Sequence, residues 1–419
     1  MKLIAIITLS IKEKHLSDFI TLISENQCTS HSIVLIKKEK RWEQYSIELS
    51  YSKISIINTI IDIVNYQSDI YRDIEMTSTL EEDLKGGQLI VKGKHELETV
   101  NDLKIKIISG NKIIHDKISN GEESKYSGIF NSISVINGLK LNDEKDKNNL
   151  YYFHSESERD SVIINRFSGL NSFPMNITYN VIEDFIKSVK SIEENFQCLR
   201  FQNIKDFSFF YSGMFESFNK PVLSKDYDEL PILFLSIILK LTKIHKLKKD
   251  QTSVGIIGID ISSIRLTRLI NKCGYMKVLG YDSDENLMML FEKEKGLATT
   301  FENVAMNTDI LLISQNTSSD LINYIRPGQF IILSNDSSFT EEEIRERGVK
   351  DLISFDESDS TLIVPGIIQG LIKSNNSFFN ELQIIKLSDA ISKIISDNYE
   401  LPDFFTNIHE KIANYVAKL

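Results

Sequence analysis

Residues Ser253–Asp282, SVGIIGIDISSIRLTRLINKCGYMKVLGYD, carry a glycine, two polar residues and an acidic residue at intervals suited to phosphate and ribose chemistry. Gly258 ends an apolar run, Asp260 and Ser263 follow it, and Asp282 closes a second apolar run. In a dinucleotide-binding βαβ unit the glycine positions read G-x-G-x-x-G. One glycine serves the turn, one the close approach of the pyrophosphate, and one helix–strand packing. Only the first is kept here. Asp260 puts a carboxylate where a diphosphate would meet the helix N-terminus, and like charge opposes the dipole that attracts anions there. The fold signal is intact and the cofactor signal is spoiled.

The elements that must hold these residues are legible from periodicity. Val254–Ile257, Val278–Tyr281, Ile310–Ser314 and Phe330–Leu333 are short apolar strands of the buried parallel type. Between the first two lies a helix with Ile264, Leu266, Leu269 and Ile270 at helical spacing. Leu230–Leu241 predicts a buried helix, too short for a membrane span. Asn380–Leu419 predicts helices broken at Leu401-Pro402. The first eighty residues parse as β-α-β-β-α-β. Strands fall at Lys2–Ser10, Ser32–Lys37, Tyr45–Ser50 and Ile70–Met76, with helices at His15–Ser24 and Lys53–Val64. The expected fold class is α/β with three domains. A ferredoxin-like α+β domain spans 1–80, a mixed domain 81–229, and a Rossmann-like doubly wound parallel-sheet domain with C-terminal helices 230–419. Lys140–Asn149 is an exposed polar loop.

The chain has 419 residues and a formal charge of −11, a balance that disfavours nucleic acid and anionic membrane as partners. Its three cysteines, Cys28, Cys198 and Cys273, are far apart, which suits a reducing cytoplasm without disulfides. The apolar start MKLIAIITLS reads as a first strand rather than a signal peptide. Eighteen glycines are few for an enzyme with phosphate loops. The histidines, including His154 and His245, show no ligand or triad spacing and are expected at the surface or in packing.

The N-terminal eighty residues resemble an ACT regulatory domain. In many such domains an amino acid binds near a glycine in the loop after the first strand, and Leu9–Lys14 has none. From residue 80 onward, separated segments in order resemble malic enzyme. Lys85–Leu103 resembles the family's GGKI-type opening and Lys125–Ile136 its K-Y-T-x-x-x-N-x-V-A-V-V strand. Asn219–Ile244 resembles I-P-V-F-H-D-D-Q-H-G-T-A with its following helix, and Ser360–Ser374 resembles N-V-L-A-F-P-G-I-F-R-G-A.

The resemblance implies oxidative decarboxylation of malate, which needs a hydride acceptor, a divalent metal, a lysine base and a tyrosine acid. Matched residue by residue, the tyrosine falls on Ile107 and the lysine on Asp160. The Glu-Asp metal pair of I-N-L-E-D-I falls on Gln202 and Asn203. The third ligand survives as Asp226. The substrate-side N-Q-x-N-N run becomes Asp356, Glu357, Ser358, Asp359 and Ser360, and the asparagine of L-A-N-P is kept as Asn335. Amides in place of carboxylates remove the charge that holds a hard dication.

The expectation is therefore a malic-enzyme-like fold behind an ACT-like domain, without malic enzyme activity and with no cofactor. NAD(P) and magnesium or manganese belong only to the alternative in which the motifs are displaced and the chain is active. A third reading is an enzyme of altered chemistry, with a cationic substrate held by Asp160, Asp226 and Asp356–Asp359. The expected partners are a second copy in a homodimer and a protein or small molecule at the ACT-like domain. Leu230–Leu241 and Ser50–Val64, apolar on more than one face, are expected to serve dimer contacts.

Overall fold

The computed structural model describes residues 3–39, 41–52, 54–78, 84–89, 93–140, 149–313, 319–334, 341–355, 359–374 and 377–419. Asn335 and Asp356–Ser358 lie outside them, as does nearly all of the Lys140–Asn149 loop. The chain divides into two compact units, Met1–Ile90 and Val91–Leu419.

In the first unit β1 (Leu3–Lys12), α1 (Leu16–Glu25), β2 (Thr29–Glu39), β3 (Trp42–Tyr51), α2 (Ile54–Tyr66) and β4 (Tyr71–Ser78) follow the expected β-α-β-β-α-β order. The sheet is antiparallel, in the order β2-β3-β1-β4. Strand alternation turns Ile7, Leu9 and Ile11 to one face, where Phe19 and Ile23 of α1 and Ile60 and Val64 of α2 complete the core. β2 is an edge strand whose Ile33, Val34, Leu35 and Ile36 are exposed.

The second unit opens with a helical stretch from Val100 through the π-type segment Leu103–Ser109 into α3 (Gly110–Ser119). No residue from 93 to 131 is buried. A parallel sheet follows, built from β5 (Ser132–Lys140), β6 (Asn171–Tyr179), β7 (Cys198–Gln202) and β8 (Val222–Ser224) in the order β6-β5-β7-β8. Its helices are α4 (Leu150–Ser168), α5 (Ile182–Ile192) and α6 (Phe207–Tyr211). After the π-type turn Lys225–Glu229, α7 (Leu230–Ile244) is buried along almost its whole length. It packs on the helices Ile261–Lys272 and Glu381–Ser392, and its side chains join the cores of the two parallel sheets.

The last sheet holds β9 (Ser253–Ile257), β10 (Lys277–Tyr281), β11 (Leu297–Ala298), β12 (Ile310–Ile313), β13 (Phe330–Ser334) and β14 (Asp351–Phe355). Their order, β11-β10-β9-β12-β13-β14, is all parallel and doubly wound, the 3-2-1-4-5-6 arrangement of dinucleotide-binding folds. Its helices are α8 (Ile261–Lys272), α9 (Glu285–Lys293), α10 (Phe301–Met306) and α11 (Glu341–Arg345). α12 (Asp359–Ser374), α13 (Glu381–Ser392) and α14 (Ile408–Val416) close the chain. α12 meets α14 along Gly366 and Gly370, where an added Cβ would lie 2.7 Å from the His409 carbonyl and 2.4 Å from Val416 Cβ.

One expectation is corrected. The apolar faces of Leu230–Leu241 are covered within the chain, because α7 runs between sheets and helices on all sides. Ile60 and Val64 of the Ser50–Val64 segment are likewise buried under their own sheet. Neither segment's buried face is open to a second copy.

Candidate functional site

β7 is buried at all five residues, so Arg200 and Gln202, two apart, point to one face and Phe201 to the other. On that face they meet Ser157 and Asp160, buried a turn apart on α4, and Glu229 from the π-type turn. Arg200 is 0% exposed and all five of its N–H donors are directed at acceptors. Nε and Nη2 donate to the two Glu229 oxygens at 2.7 and 2.8 Å. Nη1 donates to Asp160 Oδ2 at 2.9 Å and to Gln202 Oε1 at 2.7 Å, and Nη2 reaches Thr361 Oγ1 of α12 at 3.5 Å.

Asp160 also receives Arg159, at 3.0 Å from Nε and 2.9 Å from Nη2. Burial pulls its carboxyl upward, but Arg200 and Arg159 outweigh that pull and hold it below the usual carboxylate range. Burial raises the Glu229 carboxyl against the attraction of Arg200. The forked contact geometry is that of an ionised pair.

An amide layer extends this cluster. Gln202 Nε2 donates to Asn137 Oδ1 at 2.9 Å and to Ser157 Oγ at 2.8 Å, and Asn203 Nδ2 donates to Asn137 Oδ1 at 2.8 Å. Asn203 has a left-handed backbone, φ 58°, and its N–H donates to Asp226 Oδ2 at 3.2 Å. Burial pushes the Asp226 carboxyl up; Asp260 adds to the effect and Lys225 opposes it.

Around the βαβ turn, Gly258 is left-handed at φ 84° and donates its N–H to the Tyr281 carbonyl. Asp260 is the N-cap of α8. Its Oδ1 accepts from Ser263 N–H at 2.7 Å and Ser262 Oγ at 2.8 Å, while its own N–H donates to Ser263 Oγ at 2.7 Å. This capping box satisfies from within the chain an N–H that a bound phosphate would use. Asp282 accepts from Ile259 N–H and Asp284 N–H, both at 2.8 Å.

The structure therefore brings Asp160, Gln202, Asn203 and Asp226 together, with Ser360 buried at the start of α12 beside Thr361 and Asp359 preceding it. Ile107 is not in this group: it lies on the exposed helical stretch before α3. Sequence reasoning missed Arg200, Glu229 and Lys225. Two signals were available. Arg200 falls on the asparagine of I-N-L-E-D-I and Glu229 on the glycine of I-P-V-F-H-D-D-Q-H-G-T-A, and Arg200 interrupts an apolar strand with a charge. Asp160, offered as one of the carboxylates that would hold a cationic substrate, is already paired with Arg200 and Arg159. His245 is held by Asp351 at 2.6 Å and Tyr399 at 3.0 Å and packs on Phe330, a grouping that sequence spacing did not reveal.

The donor set does not fit a catalytic dication. Of the three matched ligand positions only Asp226 is a carboxylate, Gln202 Oε1 accepts from Arg200, and that guanidinium adds a fixed positive charge beside the matched positions, which opposes a dication. Among the described residues, no group of three or more His, Cys, Asp or Glu is placed to hold a metal. The α8 N-terminus does not fit a diphosphate either, since Asp260 occupies it. No helix among the described residues is long and apolar enough to cross a membrane.

The second unit is a parallel α/β fold with a Rossmann-like sheet. No family model matches the chain. It is 20% identical over 294 residues to the bifunctional malic/malolactic enzyme of Bacillus subtilis, covering 62% of this chain and 72% of the relative. To the NAD-dependent malic enzyme of Geobacillus stearothermophilus it is 20% identical over 370 residues, covering 80% and 76%. The crystal structure of malic enzyme from Pyrococcus horikoshii superposes with TM-score 0.64 at 17% identity, covering 79% of this chain and 86% of that one. The NAD-dependent malic enzyme of Thermotoga maritima gives 0.65 at 16%, covering 81% and 99%. The chain is malic-enzyme-like.

Proposed function

We propose that this chain is a malic-enzyme-like pseudoenzyme with a structural or regulatory role. The observation that carries the reading is the Asp160–Arg200–Glu229 cluster, a closed and buried set of charges where decarboxylation of malate requires a lysine base and carboxylate-held metal. Three charged residues at positions where the family pattern has lysine, asparagine and glycine satisfy one another in space. That pattern is expected when a core is kept without its chemistry.

The expected result is no malate-dependent reduction of NAD or NADP with magnesium or manganese, and no binding of either nucleotide by titration calorimetry. Loss of the acid and base costs about 10²–10⁴-fold each before the metal is counted. Asp160→Lys is not expected to rescue activity, since its ammonium would sit against Arg200 and Arg159. Clear malate-dependent turnover, or micromolar nucleotide binding, overturns the reading.

An active malic enzyme is the second reading, and Lys225 is what favours it. This lysine is buried beside Asp226. Its charge is also felt by Asp160 and Glu229. Three carboxylate neighbours suit a counter-ion better than a base that must give up its proton. The altered-substrate reading is weakened by the neutralisation of Asp160.

A homodimer is part of the proposal, and two exposed apolar regions support it. Val100 is 70% exposed, Ile105 59% and Ile108 54% on the stretch leading to α3, and Val34 is 57% exposed on the edge strand β2. Such runs are costly in water and are ordinarily covered by an isologous contact. Light scattering is expected to give twice the 48.1 kDa chain mass. Ile105→Glu with Ile108→Glu is expected to return it to one chain with unchanged circular dichroism. A wild-type mass of one chain, unchanged on tenfold concentration, overturns the dimer. The ACT-like identity of the first unit, and the subdivision of the second near residue 229, are proposed on strand order and on the two separate sheets.

A further inference from the structure

The registers of the last sheet pair Lys277 with Ser253, Ile310 with Val254 and Phe330 with both Ile310 and Asp351, so these parallel strands begin along one edge. Ligands of such sheets sit at the other edge, outside the strands' carboxyl ends. The starting edge is rich in lysine. Lys248 and Lys249 precede β9, Lys277 opens β10 and Lys350 precedes β14. Lys243 and Lys246 join them from the end of α7, where His245 between them bonds Asp351 of β14 at 2.6 Å. The Met276 N–H ties the start of β10 to the Lys249 carbonyl at 2.9 Å.

Lys243, Lys246, Lys248 and Lys350 are exposed, and Lys249 and Lys277 are half-buried. Among the described residues none of these lysines forms an ion pair, whereas Lys240, further back on α7, is held by Asp397. The acids close by are engaged elsewhere. Asp351 holds His245 and Tyr399, Asp309 holds Arg326 and Ser253, and Asp389 on the flanking α13 takes Lys393. Asp250 alone stands exposed among the lysines without such a partner. A helix C-terminus accounts for Lys243. It does not account for Lys248, Lys277 or Lys350, which lie outside helices. In a chain with 59 acidic and 48 basic residues, this edge runs against the average.

We propose that this edge docks a short acidic segment of another protein, its carboxylates meeting the unpaired ammonium groups. Carboxylates are favoured over nucleic acid by what the edge lacks. Its rings are buried beneath cations: Phe330 under Lys350, 5.1 Å from the ring centroid, and Tyr275 under Lys249 at 5.6 Å. No platform is left for stacking a base. The arginines on the loops entering β13 and β14 are engaged. Arg326 donates to the Met306 and Thr308 carbonyls and to Asp309, and Arg347 donates to Asn323 Oδ1 at 3.4 Å. Neither offers a free fork to a phosphate. A long polyanion would also run onto the acidic remainder of the chain, while a short segment ends with the lysines. Because the edge lies opposite the strands' carboxyl ends, the proposal is independent of whether the Arg200 site is active.

The test uses the full chain and a fluorescein-labelled oligoglutamate peptide, followed by fluorescence anisotropy at low salt. The peptide is expected to bind, and to bind less tightly as salt rises. Lys248→Glu with Lys350→Glu is expected to weaken it about tenfold, two attractions being lost and two repulsions added at the worth of exposed ion pairs. Both side chains are exposed, so circular dichroism should be unchanged. Lys187→Glu with Lys190→Glu, exposed on α5, changes the net charge equally and is expected to leave the affinity as it was. An oligothymidylate of equal charge and phosphatidylserine vesicles are expected to bind more weakly than the peptide. No peptide binding, or an equal loss from both double variants, overturns the proposal. Oligothymidylate or vesicles bound as tightly as the peptide also overturn it, in favour of nucleic acid or membrane. So does a salt-sensitive oligomer in light scattering that Lys248→Glu with Lys350→Glu dissolves, since the occupant would then be a second copy.

Discussion

Arg200→Met is expected to lower stability by about 3–5 kcal/mol, the cost of breaking a buried ion pair by removing one partner. The methionine fills much of the volume but offers none of the five donors that Arg200 directs at Glu229, Asp160, Gln202 and Thr361. Glu229 and Asp160 are both fully buried, so their charges would lose their main counter-ion without gaining water. Arg159 would remain on Asp160 alone. Denaturant unfolding followed by circular dichroism measures the loss. It should shrink in acid, where the two carboxyl groups protonate and the buried charge disappears. The triple variant Arg200→Met, Asp160→Leu, Glu229→Met is expected to recover most of the stability, since apolar groups of similar volume replace such clusters at little net cost. A single Arg200→Met within about 1 kcal/mol of wild type would mean that the cluster is not a structural element. The pseudoenzyme reading would then lose its main support.

This cluster also marks where sequence reading stops. Short apolar strands and the helix between them were legible because a buried parallel strand needs a continuous apolar run, and VGII, VLGY, ILLI and FIIL supply it. The first unit was legible because Ile7, Leu9 and Ile11 alternate with polar residues along β1. The losses at Asp260, Ser263, Gln202 and Asn203 could be read as losses, since each sits inside a recognisable local pattern. What replaced them could not. Arg200 pairs with Asp160 across 40 residues and with Glu229 across 29, and only the meeting of β7, α4 and the turn before α7 brings them together. Read one position at a time, Asp160 seemed to invert a local charge; in space its charge is answered. The exposure of residues 93–131 was equally hidden, because an apolar residue in sequence does not declare whether the chain's own core will cover it.

Asp228→Asn is expected to stabilise the chain above neutral pH and to leave it unchanged in acid. Asp228 is 7% exposed, and burial pushes its carboxyl up from 3.8 to about 7, against the pull of Arg265 and of the Ser224 N–H. The folded chain therefore keeps a proton that the unfolded chain has released between those two values. Its contribution to stability is complete below the lower one, declines as pH rises, and is gone above the upper one. At about 1.4 kcal/mol per pH unit the window bounds the effect at about 4 kcal/mol. Asparagine keeps an acceptor for the Ser224 N–H, which Asp228 Oδ2 receives at 2.9 Å, and carries no charge to bury. His409 works in the opposite sense. It is buried, with its ring against Phe167 and Phe404, and burial pushes its pKa below the ordinary 6.5. Its contribution is present above that value and is lost as pH falls through the lowered one, since the unfolded chain takes up the proton first. The two windows overlap in the weakly acid range, where the His409 contribution rises with pH as the Asp228 contribution falls, and Asp228→Asn is expected to remove the falling part alone. Denaturation midpoints taken across the acid-to-alkaline range decide it. A variant no more stable than wild type at alkaline pH, or one shifted equally at every pH, would show that Asp228 does not hold a buried proton.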